Sequence, residues 1–231
     1  MNNPEQPLVS VIMATYNNAK GLEASIESIL CQTYQNIELL VLDDGSGDDT
    51  KDLLQNKFRQ KKLRIFHNEE NIGLTKCLNK LIELSNGKYI ARQDDDDISL
   101  PKRIEIQVKK LENSNHKACT TRALVKDTNV KIPGLSFYMP TKLVMKIKNP
   151  HLHGTLLIEK DCLETVGKYD ENFYYAQDYK LFTDLLKSNI PVLKINQPLY
   201  LLNTKNNIST KYLEEQNYYA DCVRKNLIPH L

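Results

Sequence analysis

Four consecutive aspartates, Asp94 to Asp97, directly follow a short strand-like run at residues 87–93. Neighbouring carboxylates repel one another, because two unit charges about 4 Å apart cost roughly 4 kcal/mol at an effective dielectric constant near 20. A strand cannot continue through such a cluster into a packed core, so it must end there. Mg²⁺ and Mn²⁺ prefer oxygen ligands and often share them with a substrate phosphate. The run therefore indicates either a solvated acidic loop or a divalent-cation site at a strand end.

The first hundred residues alternate between strand and helix patterns. Residues 8–14, 37–42, 63–67 and 88–93 are rich in apolar and β-branched side chains, which predicts four buried strands. Apolar residues recur at helical spacing in the three intervening segments, so we expect a helix in each. This alternation predicts an α/β fold with a largely parallel sheet and right-handed crossovers.

The second half of the chain is less regular. We expect a helix from Pro101 to about Asn113 and a long loop over residues 127–148. Further predictions are strands at 117–125, 152–158 and 191–195, and helices at 161–167, 176–188 and 211–226. A shift in composition near residue 100 separates the two halves, neither of which we expect to fold alone.

Composition and length exclude several classes of protein. The chain has 231 residues and a net charge of +2, so nothing overall demands a nucleic-acid partner. Five scattered cysteines form no CxxC pair, which disfavours zinc and thioredoxin-type sites and favours reduced thiols in a cytoplasm. The first residues show no basic region followed by an apolar one, so we expect no secretory signal. The sequence contains no long apolar stretch, so we expect no membrane-spanning helix.

A second acidic strand end lies at Asp43 and Asp44, after the predicted strand 37–42. In a doubly wound sheet this end and the aspartate run open onto the same edge, where ligands bind. One carboxylate could accept the N–H of a uracil ring while the other cluster holds a metal that bridges a diphosphate. The alternative is turn chemistry alone, because Asp-Gly is a strong turn former. Together the two ends favour a site for a nucleoside diphosphate.

A series of short motifs runs through most of the chain. They are residues 9–17, 25–34, 37–46, 71–74, 87–97, 153–155, 167–173 and 176–179. In this order and spacing the chain resembles the family 2 glycosyltransferases of the GT-A fold. The resemblance implies a Rossmann-like, mostly parallel twisted sheet flanked by helices, with a smaller acceptor-side subregion. It implies one domain, residues 1–231, in which about 1–100 bind the nucleotide and about 101–231 bind the acceptor.

The resemblance also implies an activity. Family members move a sugar from a nucleotide donor, here a UDP-hexose, to an acceptor hydroxyl in a metal-dependent, inverting reaction. The implied acceptor is a glycan or lipid-linked saccharide, in cell-surface polysaccharide or lipopolysaccharide synthesis. A degenerate member that binds a nucleotide sugar or a partner enzyme without turnover is the alternative. A nucleotidyltransferase ranks behind, because residues 15–21 match a phosphate-binding loop poorly.

The family's nucleotide contacts fall on the ends of the first two strands. By resemblance, Thr15, Tyr16 and Asn17 form the turn that lies against the nucleotide. Asp43 matches the residue that reads the uracil ring. Asp44 is implied to line the same pocket.

The family's DxD motif falls on the aspartate run. A following Pro and basic residue, here Pro101 and Arg103, set the register. By resemblance Asp96 is then the ligand of Mn²⁺ or Mg²⁺, and Asp94 lies nearer the ribose. Asp95 is also implied in nucleotide binding, although it occupies a position that is commonly Ala.

The catalytic base is implied to come from the second half. Family members carry Glu-Asp at a helix start, and here the pair reads Gln177-Asp178, so Asp178 is the expected base. His153 is an implied contact to the acceptor or diphosphate. Many relatives have an Arg further along this helix where this chain has Asp184. Gln177 and Asp184 therefore leave open the alternative of a degenerate family member that binds without turnover.

Two basic segments have either a solvated or a membrane-facing interpretation. They are Lys57, Arg59, Lys61, Lys62 and Arg64 in one, and Lys142, Lys146 and Lys148 in the other. Attraction to anionic lipid contributes about 1 kcal/mol per basic residue near the surface. We therefore expect a cytoplasmic protein whose basic segments are solvated, with peripheral contact to the inner face of the cell membrane as the alternative.

Overall fold

The first four strands are parallel neighbours in one continuous sheet. The computed structural model describes residues 6–58, 63–204 and 212–230. In chain order the first half comprises β1 (Val9–Thr15), α1 (Ala19–Leu30), β2 (Ile37–Asp43), α2 (Thr50–Lys57), β3 (Leu63–His67), α3 (Leu74–Leu84) and β4 (Tyr89–Arg92). The strand order is β3-β2-β1-β4, with every pairing parallel. All four strands and the three helices between them were predicted, so this half is confirmed.

The second half extends the same sheet beyond β4 in the order β8-β6-β9-β5, with β7 on β6. Strands β6 and β9 are parallel, and the remaining pairings are antiparallel. The elements are β5 (Ile98–Ser99), α4 (Arg103–Glu112), β6 (Ala118–Val125), β7 (Lys131–Ile132), α5 (Thr141–Val144), β8 (Leu157–Glu159), α6 (Lys160–Thr165), α7 (Gln177–Lys187), β9 (Val192–Leu202) and α8 (Leu213–Lys225). The predicted class, a mostly parallel α/β sheet flanked by helices, is confirmed.

Both faces of the central strands are buried. Alternate residues of β1 enter opposite cores: Val11 and Met13 pack with α1, α2 and α4, while Ile12 and Ala14 pack with α3, α6, α7 and α8. Burial on both faces explains why these strands read as continuous apolar runs rather than alternating ones. The sheet edge at the carboxyl ends is thus fixed from both sides.

Several predictions in the second half were wrong in detail. Residues 127–148 are not a plain loop, because they contain β7, a 3₁₀ turn at Leu135–Phe137 and α5. The strand predicted at 152–158 is a 3₁₀ turn, His153–Thr155, followed by the short β8; the Thr155 hydroxyl donates to the Leu152 carbonyl at 2.8 Å and closes that turn.

Strand β9 is longer than predicted, since it pairs with both β6 and β5. The helix expected from Pro101 begins at Arg103, and the start predicted at residue 211 lies outside the described residues. Within 6–58, 63–204 and 212–230, no helix combines the length and apolar character needed to cross a membrane.

Candidate active site

The carboxyl ends of β1, β2 and β3 meet in one row. In the parallel register Thr15 is paired with Asp43, and Asp43 is paired with His67. Because parallel strands end together at one edge, the expected nucleotide contacts from two strands lie side by side.

Asp43 is a buried carboxylate, with only 1% of its surface exposed. Its Oδ1 accepts a hydrogen bond from the Ser46 amide at 3.1 Å. Its Oδ2 lies 3.1 Å from the Nδ1 of His67. Sequence reasoning gave His67 no role, because the register that pairs β3 with β2 is not encoded locally.

The carboxylate of Asp44 has a structural function. Its Oδ1 accepts from the Asn68 side chain at 2.8 Å and from the Ile72 amide at 3.0 Å, and its Oδ2 accepts from the Gly73 amide at 2.9 Å. Gly73 has a φ of 91°, which a residue with a side chain rarely adopts. Asp44 therefore holds the turn into α3, and its contact with a nucleotide stays a prediction.

The turn after β1 is tied to the turn after β2. The amide of Asn17 donates to Ser46 Oγ at 2.9 Å, and its side-chain oxygen accepts from the Gly47 amide at 2.8 Å. Tyr16, by contrast, is 50% exposed. Its ring is thus open to a ligand.

The aspartate run forms a tight turn between β4 and β5. Asp94 Oδ1 accepts from the buried guanidinium of Arg92 at 2.6 Å, and the Asp94 amide donates to the Tyr200 hydroxyl at 3.1 Å. Asp95 Oδ2 accepts from the Thr15 hydroxyl at 2.6 Å. Two of the four carboxylates are therefore fastened to the surrounding sheet.

The other two carboxylates meet Asn203, just after β9. The Asn203 amide donates to Asp97 Oδ1 at 2.6 Å, and its side chain lies 3.4 Å from Asp96 Oδ2. Burial, with the neighbouring carboxylates, raises the pKa of Asp96 to about 6. Burial and Asp94 raise the pKa of Asp97 to about 8. The run thus concentrates more negative charge than its surroundings neutralise.

The run fits a divalent cation in donor chemistry but does not enclose one. Asp94 and Asp96 are partly exposed and supply carboxylate oxygens, the ligands that Mg²⁺ and Mn²⁺ take. In the described part of the chain, no three His, Cys, Asp or Glu side chains are grouped so as to hold a metal ion. A cation held here would need further oxygens, such as those of a diphosphate.

Arg103, which in the sequence served only to align the DxD motif, stabilises the backbone beside the aspartate run. Its buried guanidinium donates to the carbonyls of Arg92 and Gly154, each at 3.1 Å, and lies over the Tyr200 ring at 5.5 Å. Burial lowers its pKa to about 10. At Gly154 an added Cβ would fall 2.6 Å from the Tyr200 hydroxyl and closer still to Asp94. Gly154 is therefore required by close packing.

His153 directly precedes Gly154, which packs against the carboxylate of Asp94. Its Nε2 is 2.7 Å from the Tyr169 hydroxyl, and the two rings pack edge to face. Burial and the Arg92 cation lower the His153 pKa to about 4, while the charges of Asp94 and Asp178 both oppose this lowering. At neutral pH the imidazole is thus uncharged, and its pKa depends on the charges of both carboxylates.

Asp178 lies in the first turn of α7, half-buried. Its Oδ2 accepts from the Asn149 side chain at 2.7 Å, and no sequence pattern indicated this partner. Asp184, further along the same helix, pairs with Lys180 at 2.6 Å. The two acids of α7 thus have separate surroundings, one toward the site and one in a helix-surface ion pair.

The sequence matches the profile of the family described as "Glycosyl transferase family 2" over residues 10–177. It is 36% identical over 167 residues to the putative glycosyltransferase EpsE of Bacillus subtilis, covering 71% of this chain and 60% of EpsE. It is 32% identical over 184 residues to WfgD of Escherichia coli, a UDP-Glc:α-D-GlcNAc-diphosphoundecaprenol β-1,3-glucosyltransferase, covering 79% of this chain and 71% of WfgD.

The fold is similar to that of the mannosyltransferase PcManGT from Pyrobaculum calidifontis, solved in complex with GDP-Man and Mn²⁺. The TM-score is 0.75 at 19% identity, over 98% of this chain and 67% of that one. This likeness confirms the expected GT-A fold. The chain spans less than two thirds of EpsE, so the match concerns the shared region. On the profile match, the chain belongs to glycosyl transferase family 2.

Proposed function

We propose that the chain transfers a hexose from a UDP-sugar to an acceptor hydroxyl with inversion at the anomeric carbon. The observation that carries the proposal is that residues 149–154 contact both carboxylates: the Asn149 side chain donates to Asp178, and Gly154 packs against the carboxylate of Asp94. A diphosphate site and a general base must lie on either side of the sugar for a single displacement. The contacts of this one segment with both carboxylates support that arrangement.

The nucleotide would bind where β1, β2 and β3 end. The Asp43 carboxylate is held by His67 and the Ser46 amide and could accept the N–H of a uracil ring. The exposed ring of Tyr16 offers a stacking surface for the base. UDP is favoured because WfgD is named as acting on UDP-Glc. Thr15 would act indirectly, by positioning Asp95.

The diphosphate would lie against the aspartate run. Asp96, with Asp94 beside it, would hold Mn²⁺ or Mg²⁺ together with the diphosphate oxygens. Such a cation supplies Lewis-acid neutralisation of the charge on the departing nucleoside diphosphate. The Mn²⁺ in the PcManGT complex supports this cofactor class. Burial and the neighbouring carboxylates raise the pKa of Asp96, and a cation bound there would favour its ionised form.

Asp178 would act as the general base. It takes the proton of the acceptor hydroxyl while that oxygen attacks the anomeric carbon and the bond to the diphosphate breaks. Asn149 orients the carboxylate by its 2.7 Å hydrogen bond. His153, neutral and fixed by Tyr169, would donate or accept a hydrogen bond to the sugar or diphosphate without competing for the proton. No covalent enzyme intermediate is required.

The acceptor would enter from the second half of the chain, since Asn149 and α7 belong to it. A glycan or a lipid-linked saccharide is the acceptor class we propose, in line with the diphosphoundecaprenol acceptor in the name of WfgD. With the acceptor on this side, the chain is divided at about residue 100 into a nucleotide-binding half and an acceptor-binding half. Synthesis of a cell-surface polysaccharide or lipopolysaccharide would be the pathway.

One observation favours the alternative of binding without turnover. Asp184 is paired with Lys180, which also reaches Asp170 at 3.4 Å, so this part of α7 presents no free cation to a donor phosphate.

Release of UDP decides between sugar transfer and binding without turnover. Purified protein is incubated with UDP-hexoses, Mn²⁺ and candidate acceptors, with Asp178→Asn as control. Acceptor-dependent UDP release lost in the variant supports the proposal, and UDP binding without release supports the alternative.

A further inference from the structure

We propose that the surface formed by residues 135–148, here called the α5 face, docks onto an anionic lipid membrane. This goes beyond the transfer reaction, because it assigns a docking partner and a specific surface to the protein. The α5 face contains the 3₁₀ turn Leu135–Phe137, helix α5 and the residues that lead to Asn149.

Large apolar side chains are exposed at unusual density on the α5 face. Leu135 is 86% exposed and Ile147 is 72% exposed. The full set of its exposed apolar residues is Leu135, Tyr138, Met139, Leu143 and Ile147. Single exposed apolar residues need no explanation, but five of them within residues 135–147 mark a candidate interaction site.

Lysines lie among these apolar side chains. Lys142 and Leu143 are followed one helical turn later by Lys146 and Ile147, and all four are exposed. Residues 128–148 contain no Asp or Glu. Among the described residues, none of Lys142, Lys146 and Lys148 has an ion-pair partner. Apolar side chains alternating with cations match a lipid surface with anionic headgroups.

The α5 face is firmly attached to the protein, so its exposed residues are not simply loose. Val144 and Met145 are buried beneath it, and the Tyr179 hydroxyl donates to the Met145 carbonyl. The Arg224 guanidinium donates to the Ile147 carbonyl at 3.0 Å. The outward side chains are therefore presented by a backbone held from below.

Charge complementarity selects the lipid surface over a second copy of the chain. An isologous dimer through this face would bring the same patch against itself and set lysines against lysines. The protein as a whole carries only +2, so the concentration of lysines here is local. An acidic lipid surface neutralises these charges while its acyl boundary takes the apolar side chains.

The α5 face lies close in sequence to the residue that holds the proposed base. Ile147 is two residues from Asn149, whose side chain holds the proposed base Asp178. A membrane against the α5 face would therefore lie beside the acceptor side of the site. This placement suits a saccharide carried on a lipid, although membrane binding itself requires no catalysis.

Sedimentation with vesicles tests the proposal on the full chain. We expect the wild type to sediment with vesicles containing phosphatidylglycerol at low salt and to stay in solution with phosphatidylcholine alone. Lys142→Gln, Lys146→Gln and Lys148→Gln together should weaken binding by about fivefold per lysine removed. Leu143→Ser with Ile147→Ser should weaken binding and leave its salt dependence in place.

The matched control removes three exposed lysines elsewhere, by Lys76→Gln, Lys109→Gln and Lys110→Gln, and should bind like the wild type. Equal loss of vesicle binding in the control and in the triple-lysine variant of the α5 face would overturn the proposal. Failure of the wild type to sediment with the vesicles would also overturn it. Binding that persists in both α5-face variants would also overturn it and point to another surface. Calorimetry with UDP on the same variants separates this result from the proposed function, since nucleotide binding should be unchanged.

Discussion

The Nδ1 of His67 lies 3.1 Å from the Oδ2 of Asp43, at the paired ends of β3 and β2. The ring thereby fixes the orientation of a carboxylate that is almost completely buried. A carboxylate oriented in this way presents its remaining acceptor sites in one direction, which is the requirement for reading a base edge.

We predict that His67→Ala weakens UDP binding at least about tenfold, because a hydrogen bond to a charged group contributes about 1.5–3 kcal/mol. Calorimetry with UDP measures the change, and His230→Ala, an exposed histidine, is the control. Unchanged UDP affinity in His67→Ala would mean that Asp43 does not need this partner or does not contact the nucleotide.

Gly154→Ala should disrupt the acidic turn. The added methyl group would meet the Tyr200 hydroxyl at 2.6 Å and crowd Asp94, so the free energy of unfolding should fall by about 1–3 kcal/mol. Gly47→Ala, where nothing lies within 4 Å and φ is not positive, should change it by less than about 0.5 kcal/mol. Chemical denaturation of both variants measures the difference, and equal stability would contradict the packing described at Gly154.

Asp178→Asn should retain UDP affinity and lose transfer by about 10²–10⁴-fold, the usual contribution of general-base catalysis. The control is Asp184→Asn on the same helix, which breaks only the ion pair with Lys180 and should keep most of the activity. Initial rates of UDP release with each variant provide the measurement. Near-normal transfer by Asp178→Asn would assign the base to another residue.

The buried His151 should make stability depend on pH. It packs on Phe182 at 4.6 Å, and burial with the Lys194 charge lowers its pKa to about 3. Between pH 6.5 and 3 the unfolded chain then binds the proton that the folded chain does not. Its contribution to stability is present above pH 6.5 and is lost as pH falls, at up to about 1.4 kcal/mol per pH unit.

In His151→Asn this loss should disappear. The variant should be less stable than the wild type at pH 8, and the gap should narrow as the pH falls from 6.5 toward 4. Urea unfolding across that range measures the gap, with His230→Asn as control. A gap of constant size would show that His151 does not titrate differently in the folded and unfolded states.

The sequence was most informative where local pattern and burial agree. The strands of the first half are buried on both faces, so their apolar runs were sufficient to predict them. Asp43 and the aspartate run could be located because charges that interrupt apolar runs mark strand ends. The register of β2 against β3, which brings His67 to Asp43, is a long-range property that one sequence does not encode locally.

The second half depended on tertiary contacts. Asn149 reaches Asp178, and Asn203 reaches Asp97, across long stretches of chain that no spacing pattern connects. The 3₁₀ turn at His153–Thr155 forms because its polar groups find partners in β6 and Tyr169. An apolar flank at 156–158 made the same segment resemble a strand.

Metal-dependent binding of UDP is the most direct test of the proposed site. Calorimetry of UDP against the wild type should show binding with Mn²⁺ and much weaker binding with EDTA. Asp96→Asn should lose the Mn²⁺-dependent part, while the adjacent Asp97→Asn, whose side chain meets the Asn203 amide, should keep it. Equal UDP affinity with Mn²⁺ and EDTA, or full Mn²⁺ dependence in Asp96→Asn, would contradict the assignment of this site.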